Sequence, residues 1–531
     1  MGRRYPGVPA RRSLDSRIAH SAASCSPRDT TQVCRDAQAA MATVALLDSP
    51  KQAAALDEPP RTPMRWVILL SFSLATACNG LMYATEAAVE VPAESFYGIE
   101  EKDVLVLSNI FYCGFIPLVF PAIWLLSTRH GLQIAVVGGG IALAVGAGVR
   151  CLANEPTKES FEWMWAGTGI LSISTPLLLG CITQVAANWF PHEERAVATS
   201  IGVLSAQGGM MVSYILPAIF VPSASSSANQ AGSMDSGSGS GDVHESNVTL
   251  KHELVSYAVA QFIICAVSAV LGLLFFRTRP RSVKTATAPI AYGGGGSINP
   301  TLPEPSLQDE GGLFDNLRLC YSNPHFWVLS VVFGVTAPIY WTLGNLIDGA
   351  MIHKGSGWTE TQVYTCGTLL QGASLPGFLF GGWIVDRLVD RHRAVVNVSL
   401  ALATASLICY SAALAAAAKV NGTPSPALYA AVLASTAATG FFFGMFQPPA
   451  LELAAECTYP ASEAASCSIL YLNCQIAGIG LIYLADALTA PNGATGKVNI
   501  AMSGIQIGML LLQVVFFRGE LRRTSDRKTS A

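Results

Sequence analysis

Long apolar runs alternate with short polar segments from residue 66 to residue 517. A bilayer is crossed by about 20 apolar residues at a helical rise of about 1.5 Å per residue, and each run reaches that length. Six runs precede a long polar segment and six follow it, which predicts twelve transmembrane helices. The predicted spans are 66–90, 103–126, 132–152, 163–187, 196–221, 254–276, 326–351, 361–385, 394–418, 427–450, 464–488 and 498–517.

The same pattern divides the chain into two bundles, a linker and two tails. We expect an all-α polytopic membrane protein whose two six-helix halves are related by pseudo-symmetry. A flexible outer loop, rich in Ser and Gly, is predicted at 223–250. The predicted parts are a disordered cytoplasmic tail at 1–62, an N-terminal six-helix bundle at 63–276, a cytoplasmic linker at 277–323, a C-terminal six-helix bundle at 324–517 and a basic cytoplasmic tail at 518–531.

The distribution of basic residues predicts the orientation of the chain. With both termini in the cytoplasm, the inner segments after residue 65 hold fifteen Lys and Arg residues and the outer segments hold seven. This asymmetry agrees with the positive-inside bias. Glycosylation sequons at Asn247 and Asn421 fall in predicted outer loops. We therefore expect a multi-pass protein of the plasma membrane or an endomembrane.

Composition narrows the class of protein further. Hydrophobic residues make up 51% of the 531 residues and charged residues only 13%, whereas a soluble domain has about a quarter charged residues. The thirteen cysteines are scattered without metal-ligand spacing, and no nucleophile–base pair or carboxylate dyad stands out. We expect no enzyme, with no catalytic residue, metal or cofactor. The expected partners are a small-molecule substrate and the lipid bilayer, with no nucleic acid, and the expected state is a monomer.

Polar groups gather in the second half of the first predicted span. Asn79, Tyr83, Thr85 and Glu86 follow a stretch without ionisable residues. Such groups are costly in hydrocarbon unless they face protein or a water-filled cavity. This half of the helix is therefore predicted to line a wet cavity.

Basic side chains are missing from the predicted helices. Arg150, near an outer end, comes closest, and all eight histidines fall in loops, the N-terminal tail or helix ends. A carboxylate or phosphate taken from water needs fixed positive charge or helix N-termini, so that anionic substrates are disfavoured. Haem iron is commonly held by His, Cys, Met or Tyr, and without a core His a coordinated haem is less favoured than an organic cation.

A short internal repeat relates the two halves. Trp189-Phe190-Pro191-x-x-Glu194-Arg195 precedes Gln207, and Thr458-Tyr459-Pro460-x-x-Glu463 precedes Gln475. Pro at the beginning of a helix and Glu in its first turn suit a helix N-terminus. The repeat predicts that Gln207 and Gln475 occupy matching positions.

A second motif lies between the eighth and ninth predicted spans. Gly382-Trp-Ile-Val-Asp386-Arg387 resembles the Gly-x-x-x-Asp-Arg signature of the major facilitator superfamily, whose Asp and Arg can bridge helix ends on the inner face. The corresponding segment 126–132 lacks the Asp. The resemblance implies the major facilitator fold and conformational gating by residues at the inner ends of the helices. The candidate gating residues are Asp386, Arg387, Glu194, Arg195 and Glu463.

Further strings resemble the feline leukaemia virus subgroup C receptor-related family within that superfamily. They include Arg65-Trp66 through Cys78-Asn79, Phe96-Tyr97-Gly98, and the segments 116–126, 201–209 and 456–478. The resemblance implies a facilitative transporter, with choline or ethanolamine as substrates and haem as the older proposal. Relatives carry a Trp in the first helix where this chain has Tyr83, and a Gln in the fourth where it has Ser174-Thr175.

The candidate substrate-binding residues combine aromatic rings, neutral amides and a carboxylate. A quaternary ammonium over aromatic faces gains about 1–2 kcal/mol per ring when desolvated. Three alternatives stay open: Tyr83 as an interfacial residue, Glu86 as a solvated residue and Tyr340 as a packing residue. The candidates are Tyr83, Glu86, Thr175, Gln207, Tyr340, Trp341 and Gln475.

These observations predict a transporter that moves a small organic cation by alternating access. A carrier of haem or another amphipathic solute is the alternative in the same class. A membrane receptor or sensor that kept the fold and lost transport is an alternative in another class, because the first copy of the motif is degenerate.

Overall fold

The computed structural model describes residues 62–88, 96–99, 101–128, 130–221, 240–277, 313–345, 360–388, 391–417, 425–489 and 496–518, and all regular structure in them is helical. The N-terminal half contains α1 (Met64–Ala88), α2 (Glu101–Leu126), α3 (Gly131–Arg150), α4 (Lys158–Leu179), α5 (Ile182–Trp189), a 3₁₀ turn (His192–Glu194), α6 (Arg195–Phe220) and α7 (Ser240–Phe275). The short α8 (Leu313–Tyr321) precedes the C-terminal half, which contains α9 (Pro324–Asn345), α10 (Glu360–Arg387), α11 (His392–Ala417), α12 (Pro426–Thr458), α13 (Glu463–Leu488) and α14 (Gly496–Phe516).

The helices agree with the predicted all-α membrane fold. Ten of the described helices are long and apolar enough to cross a membrane, and the bent pair α4–α5 adds an eleventh span. The remaining predicted span is α2, whose apolar part is Ile110–Leu126. Twelve spans in two groups of six are therefore consistent with the described residues.

The fourth predicted span is broken, not continuous. Its two segments, α4 and α5, meet at an angle of 41°. Pro176 lacks a backbone N–H and disturbs the helix from within. The N–H of Gly180 still reaches the Pro176 carbonyl at 3.2 Å, and a Cβ at Gly180 would lie 2.3 Å from Ser468 Oγ. The break thus occurs where the chain passes close to the other half.

The sixth span begins earlier than the sequence predicts. Helix α7 starts at Ser240, so the last residues of the predicted flexible loop 223–250 are helical. Asn247 lies within this helix, while residues 223–239 and Asn421 lie outside the described residues. The predicted tails, except Thr62 and Arg518, and residues 278–312 of the linker lie outside them as well.

Glycines let the helices of each half approach closely. In the N-terminal half, a Cβ at Gly80 would lie 1.9 Å from the Ala206 carbonyl oxygen of α6. In the C-terminal half, a Cβ at Gly377 would lie 2.2 Å from the Phe441 carbonyl oxygen, and one at Gly440 would lie 2.1 Å from that of Leu370. In a membrane the lipid is as apolar as the helix surface, and close packing of small residues therefore holds helices together.

The two halves meet chiefly through two helix pairs. Helix α6 packs against α10, and α2 packs against α13. The N-termini of α6 and α13 and the C-terminus of α10 lie at one end of the bundle, the end that the charge distribution predicts to be cytoplasmic. We call this end the gate end. It carries the contacts between the halves that are described next.

Candidate functional site

Asp386 joins the two halves at the gate end. Its carboxylate lies in the last turn of α10 and accepts backbone hydrogen bonds from Ala196 at 3.0 Å and Val197 at 2.8 Å. These N–H groups belong to the first turn of α6, where a helix has no partners of its own and where its dipole favours an anion. The predicted gating residue Asp386 therefore lies at an interface that must separate if this end opens.

An ion pair makes a second contact between the halves. Arg195 Nη1 of α6 lies 3.0 Å from Glu463 Oε1 of α13, and both side chains are largely buried. Thr183 Oγ1 of α5 also donates to the Glu463 backbone carbonyl at 3.1 Å. The predicted candidates Arg195 and Glu463 are thus brought together directly.

A third contact involves a residue that was not among the predicted gating set. Glu452 of α12 is 6% exposed and accepts a hydrogen bond from Thr199 Oγ1 of α6 at 2.8 Å. Glu452 lies just after the predicted span 427–450, but the pairing with Thr199 joins residues 253 positions apart. No sequence pattern in either segment indicates such a partner.

Gly382 brings the backbones of the two halves together at the gate end. A Cβ at Gly382 would lie 1.9 Å from Ser200 Oγ and 2.6 Å from the Ala196 carbonyl oxygen. Gly382 is the first residue of the Gly-x-x-x-Asp-Arg motif. The motif therefore supplies both a close approach, at Gly382, and an anion that binds the opposing helix, at Asp386.

Two other predicted gating residues do not bridge the halves in the contacts described. Glu194 forms an ion pair with Arg65 at 3.0 Å, which ties the 3₁₀ turn to α1 within the N-terminal half. Arg387 is exposed, and its guanidinium lies 5.4 Å from the centre of the Trp383 ring on its own helix. The Gly-x-x-x-Asp-Arg motif made Arg387 a candidate and the internal repeat made Glu194 one, but adjacent residues of a helix point in different directions.

The two glutamines of the internal repeat lie deep in the membrane. Gln207 and Gln475 each lie twelve residues after the first residue of their helices, α6 and α13, or about 18 Å along the axis. Each is 4% exposed, and the amide oxygen of each has no hydrogen-bond partner among the described residues. A buried acceptor without a partner costs about 1–3 kcal/mol, which a bound ligand or water can recover.

Half-buried aromatic residues occur in both halves. The Tyr83 ring lies 5.7 Å from the rings of Phe111 and Tyr112 of α2, in edge-to-face geometry, and its hydroxyl is hydrogen-bonded to that of Tyr112. Trp341 of α9 is also half-buried. Its indole nitrogen is buried and has no hydrogen-bond partner in the described residues.

Tyr340 has the contacts of a packing residue. It is 0% exposed, its ring stacks on Phe443 with 5.7 Å between centres, and its hydroxyl donates to Gln371 Oε1 at 2.7 Å. These contacts therefore fit the alternative that the sequence left open, in which Tyr340 is a packing residue. Both the ring and the hydroxyl of Tyr340 are engaged within the C-terminal half.

Thr175 is used to hold helices together. It is 3% exposed, and its hydroxyl accepts a hydrogen bond from Asn79 Nδ2 at 3.1 Å, while Ser174 Oγ accepts another at 2.9 Å. The polar patch of α1 therefore packs in part against α4. The Glu86 and Asn247 side chains lie outside the described residues.

Comparisons with known proteins give the family. The model described as Major Facilitator Superfamily matches residues 66–483. The chain is 26% identical over 472 residues to the uncharacterized MFS-type transporter C09D4.1 of Caenorhabditis elegans, which covers 88% of this chain and 71% of the relative. It is 24% identical over 469 residues to the choline/ethanolamine transporter FLVCR2 of Homo sapiens, covering 87% and 79%.

A further relative and a solved structure agree with this result. The choline/ethanolamine transporter flvcr2b of Danio rerio is 26% identical over 419 residues, which cover 78% of this chain and 76% of the relative. The Escherichia coli fucose:proton symporter FucP has the same fold, with a TM-score of 0.58 at 15% identity over 86% of this chain and 98% of the symporter. The predicted fold and the predicted resemblance are confirmed, and the chain belongs to the major facilitator superfamily as a multi-pass membrane transporter.

Proposed function

We propose that this protein is a facilitative transporter that moves a small organic cation of the choline or ethanolamine class by alternating access. The observation that carries the proposal is the pair of buried amide oxygens of Gln207 and Gln475. They lie at equal depths in two helices that belong to different halves. A ligand between the halves can therefore use one amide from each.

The charge of the described helices favours a cation. In the described part of the chain, each Lys, Arg and His of a spanning helix lies in the first or last turn of its apolar span or beyond the end of that span. Among the described residues, the middle of the membrane thus has amide dipoles and aromatic rings but no basic group to replace the hydration of an anion. A hydroxyl group of choline can donate to an amide oxygen, and its ammonium group can lie over the rings of Tyr83 and Trp341.

The gate end supplies the movement that alternating access requires. We infer that Asp386, Arg195 and Glu463 stabilise the state in which this end is closed, and that their contacts break when it opens. Rigid-body motion of one half against the other is the general mode in this kind of fold. Choline and ethanolamine are the substrates in the names of the curated relatives, which agrees with the chemistry of the amides.

Uptake of radiolabelled choline into proteoliposomes tests the proposal. We expect saturable uptake that stops when the inner and outer concentrations are equal. Gln475→Leu and Gln207→Leu each remove one acceptor worth about 1 kcal/mol, so that KM should rise about fivefold to tenfold. The matched control is Gln513→Leu in α14, a fully buried glutamine whose amide donates to Asn397 at 3.3 Å.

The results separate the alternatives. Absence of saturable uptake in the wild-type protein, with folded protein in the vesicles, would contradict the proposal and leave a receptor or a carrier of another solute. Equal effects of Gln475→Leu and Gln513→Leu would show that the amide does not contact the substrate. Inhibition by succinate as strong as that by unlabelled choline would contradict the preference for cations.

A further inference from the structure

Helix α8 of the linker lies between the two halves at the gate end. Its buried residues, Asn316 and Cys320, are one helical turn apart and are 1% and 0% exposed, while Phe314 on another face is 83% exposed. Cys320 Sγ lies 3.7 Å from Ser466 Oγ of α13. This face therefore fastens α8 to the C-terminal half.

Asn316 reaches both halves with one side chain. Its Oδ1 accepts a hydrogen bond from the backbone N–H of Ser462, immediately before α13, at 2.9 Å. Its Nδ2 donates to Oγ of Ser127, immediately after α2, at 3.4 Å. The Ser127 hydroxyl donates its own hydrogen to the Ile123 carbonyl at 2.9 Å, which leaves its lone pairs free to accept. Each of these three hydrogen bonds thus joins one donor to one acceptor.

The Asn316 contact lies where the fold lacks a carboxylate. On the other side of the pseudo-symmetry axis, Asp386 in the last turn of α10 accepts hydrogen bonds from the N-terminus of α6. The corresponding position after α2 would face the N-terminus of α13, but the segment 126–132 contains no acidic residue. Asn316 supplies the acceptor for the N-terminal end of α13 instead. Its side chain is also hydrogen-bonded to Ser127 of the segment 126–132.

We propose that Asn316 of the linker helix takes the place of the acidic residue missing after α2 and is a positioning residue for the closed gate end. The Asn316–Ser127 hydrogen bond crosses between the halves, so it has to break when this end opens. The linker is then part of the gate and not only a tether. The inference rests on the alternating-access part of the proposed function, but not on the identity of the substrate.

Alkylation of Cys467 by N-ethylmaleimide, quantified by mass spectrometry of the full-length protein, measures the opening. Cys467 of α13 is 2% exposed, and its thiol donates to the Leu179 carbonyl of α4 across the interface at 3.4 Å. Cys474 is 0% exposed, and its thiol donates to the Phe333 carbonyl within the C-terminal half at 3.7 Å. Opening of the gate end exposes Cys467 alone, whereas unfolding exposes both cysteines.

Three variants test the role of the amide. Asn316→Ala removes both hydrogen bonds, and we expect the Cys467 alkylation rate to rise about fivefold relative to that of Cys474, the shift expected for one neutral hydrogen bond between the halves. Asn316→Asp keeps the acceptor for Ser462, and the Ser127 hydroxyl can turn to donate to it, so the rate should stay near the wild-type value. Asp315→Ala changes an exposed residue of the same helix and should have no effect.

These alkylation rates test the role of Asn316 independently of whether choline is the substrate. Equal rates in Asn316→Ala and Asp315→Ala would overturn the proposal, and so would an equal rise in Asn316→Ala and Asn316→Asp. A parallel rise at Cys467 and Cys474 would show unfolding instead of gating and would also overturn it. Failure of choline uptake alone would contradict the proposed substrate and leave the role of Asn316 standing.

Discussion

Replacing Gly382 by Ala should open the gate end. The new Cβ would lie 2.6 Å from the Ala196 carbonyl oxygen and 1.9 Å from Ser200 Oγ. The serine side chain can rotate, but the carbonyl belongs to the backbone of α6. Ordinary contact begins at 3.4 Å, so the helices α10 and α6 have to separate by about 0.8 Å at this point.

The separation acts on the contact that Asp386 makes. Its hydrogen bonds to Ala196 and Val197 measure 3.0 and 2.8 Å, and the same displacement would lengthen both beyond the hydrogen-bond range of about 3.2 Å. Hydrogen bonds to a charged group contribute about 1.5–3 kcal/mol each. A loss of about 3 kcal/mol in total would shift the ratio of closed to open molecules about 100-fold.

The fold itself should survive the substitution. Ala in a helix interior is favoured over Gly by about 1 kcal/mol, so Gly382→Ala does not weaken α10. The matched control is Gly372→Ala in the same helix, where a Cβ would meet no atom within 4 Å. We expect the alkylation rate of Cys467 to rise at least tenfold in Gly382→Ala and to stay unchanged in Gly372→Ala. Equal rates in these two variants would refute the steric reasoning.

Two further substitutions test single contacts. Asp386→Asn keeps one acceptor for the N-terminus of α6 but loses the charge, so Cys467 should be alkylated severalfold faster. Arg387→Gln changes an exposed residue and should leave the rate unchanged. A faster rate in Arg387→Gln than in Asp386→Asn would contradict the role of Asp386 at the gate end. Asn79→Ala removes both hydrogen bonds from α1 to α4 and should lower the stability of the purified protein by about 1–2 kcal/mol. An unchanged melting temperature in detergent would show that Thr175 and its neighbour do not hold these helices together.

The sequence predicted the spans well because each hydrophobic run has to satisfy the thickness of a bilayer. It did not predict the break between α4 and α5, since Pro176 alone is compatible with a kinked but continuous helix. The early start of α7 at Ser240 was missed as well. The Ser- and Gly-rich composition of the preceding segment indicates a loop, whereas the structure continues the helix beyond the apolar run.

The candidate site was predictable only where a repeat or motif marked it. The repeat before Gln207 and Gln475 correctly indicated matching depths, and the motif indicated Asp386. The direction of a side chain on its helix was not predictable from the hydrophobic pattern, because that pattern marks spans and not helix faces. Tyr340 therefore turned out to lie within the C-terminal half, and Arg387 on an exposed face. Asn316 lies in the polar linker between the apolar runs, and nothing in its sequence indicates contact with both halves.

A structure of the protein determined at saturating choline would show directly whether the substrate binds between the two halves. We expect choline between the two halves, with its hydroxyl within hydrogen-bond distance of the Gln207 or Gln475 amide and its ammonium group against the ring of Tyr83 or Trp341. A choline molecule bound elsewhere, or a ligand between the halves that is an anion held by basic side chains, would contradict this expectation.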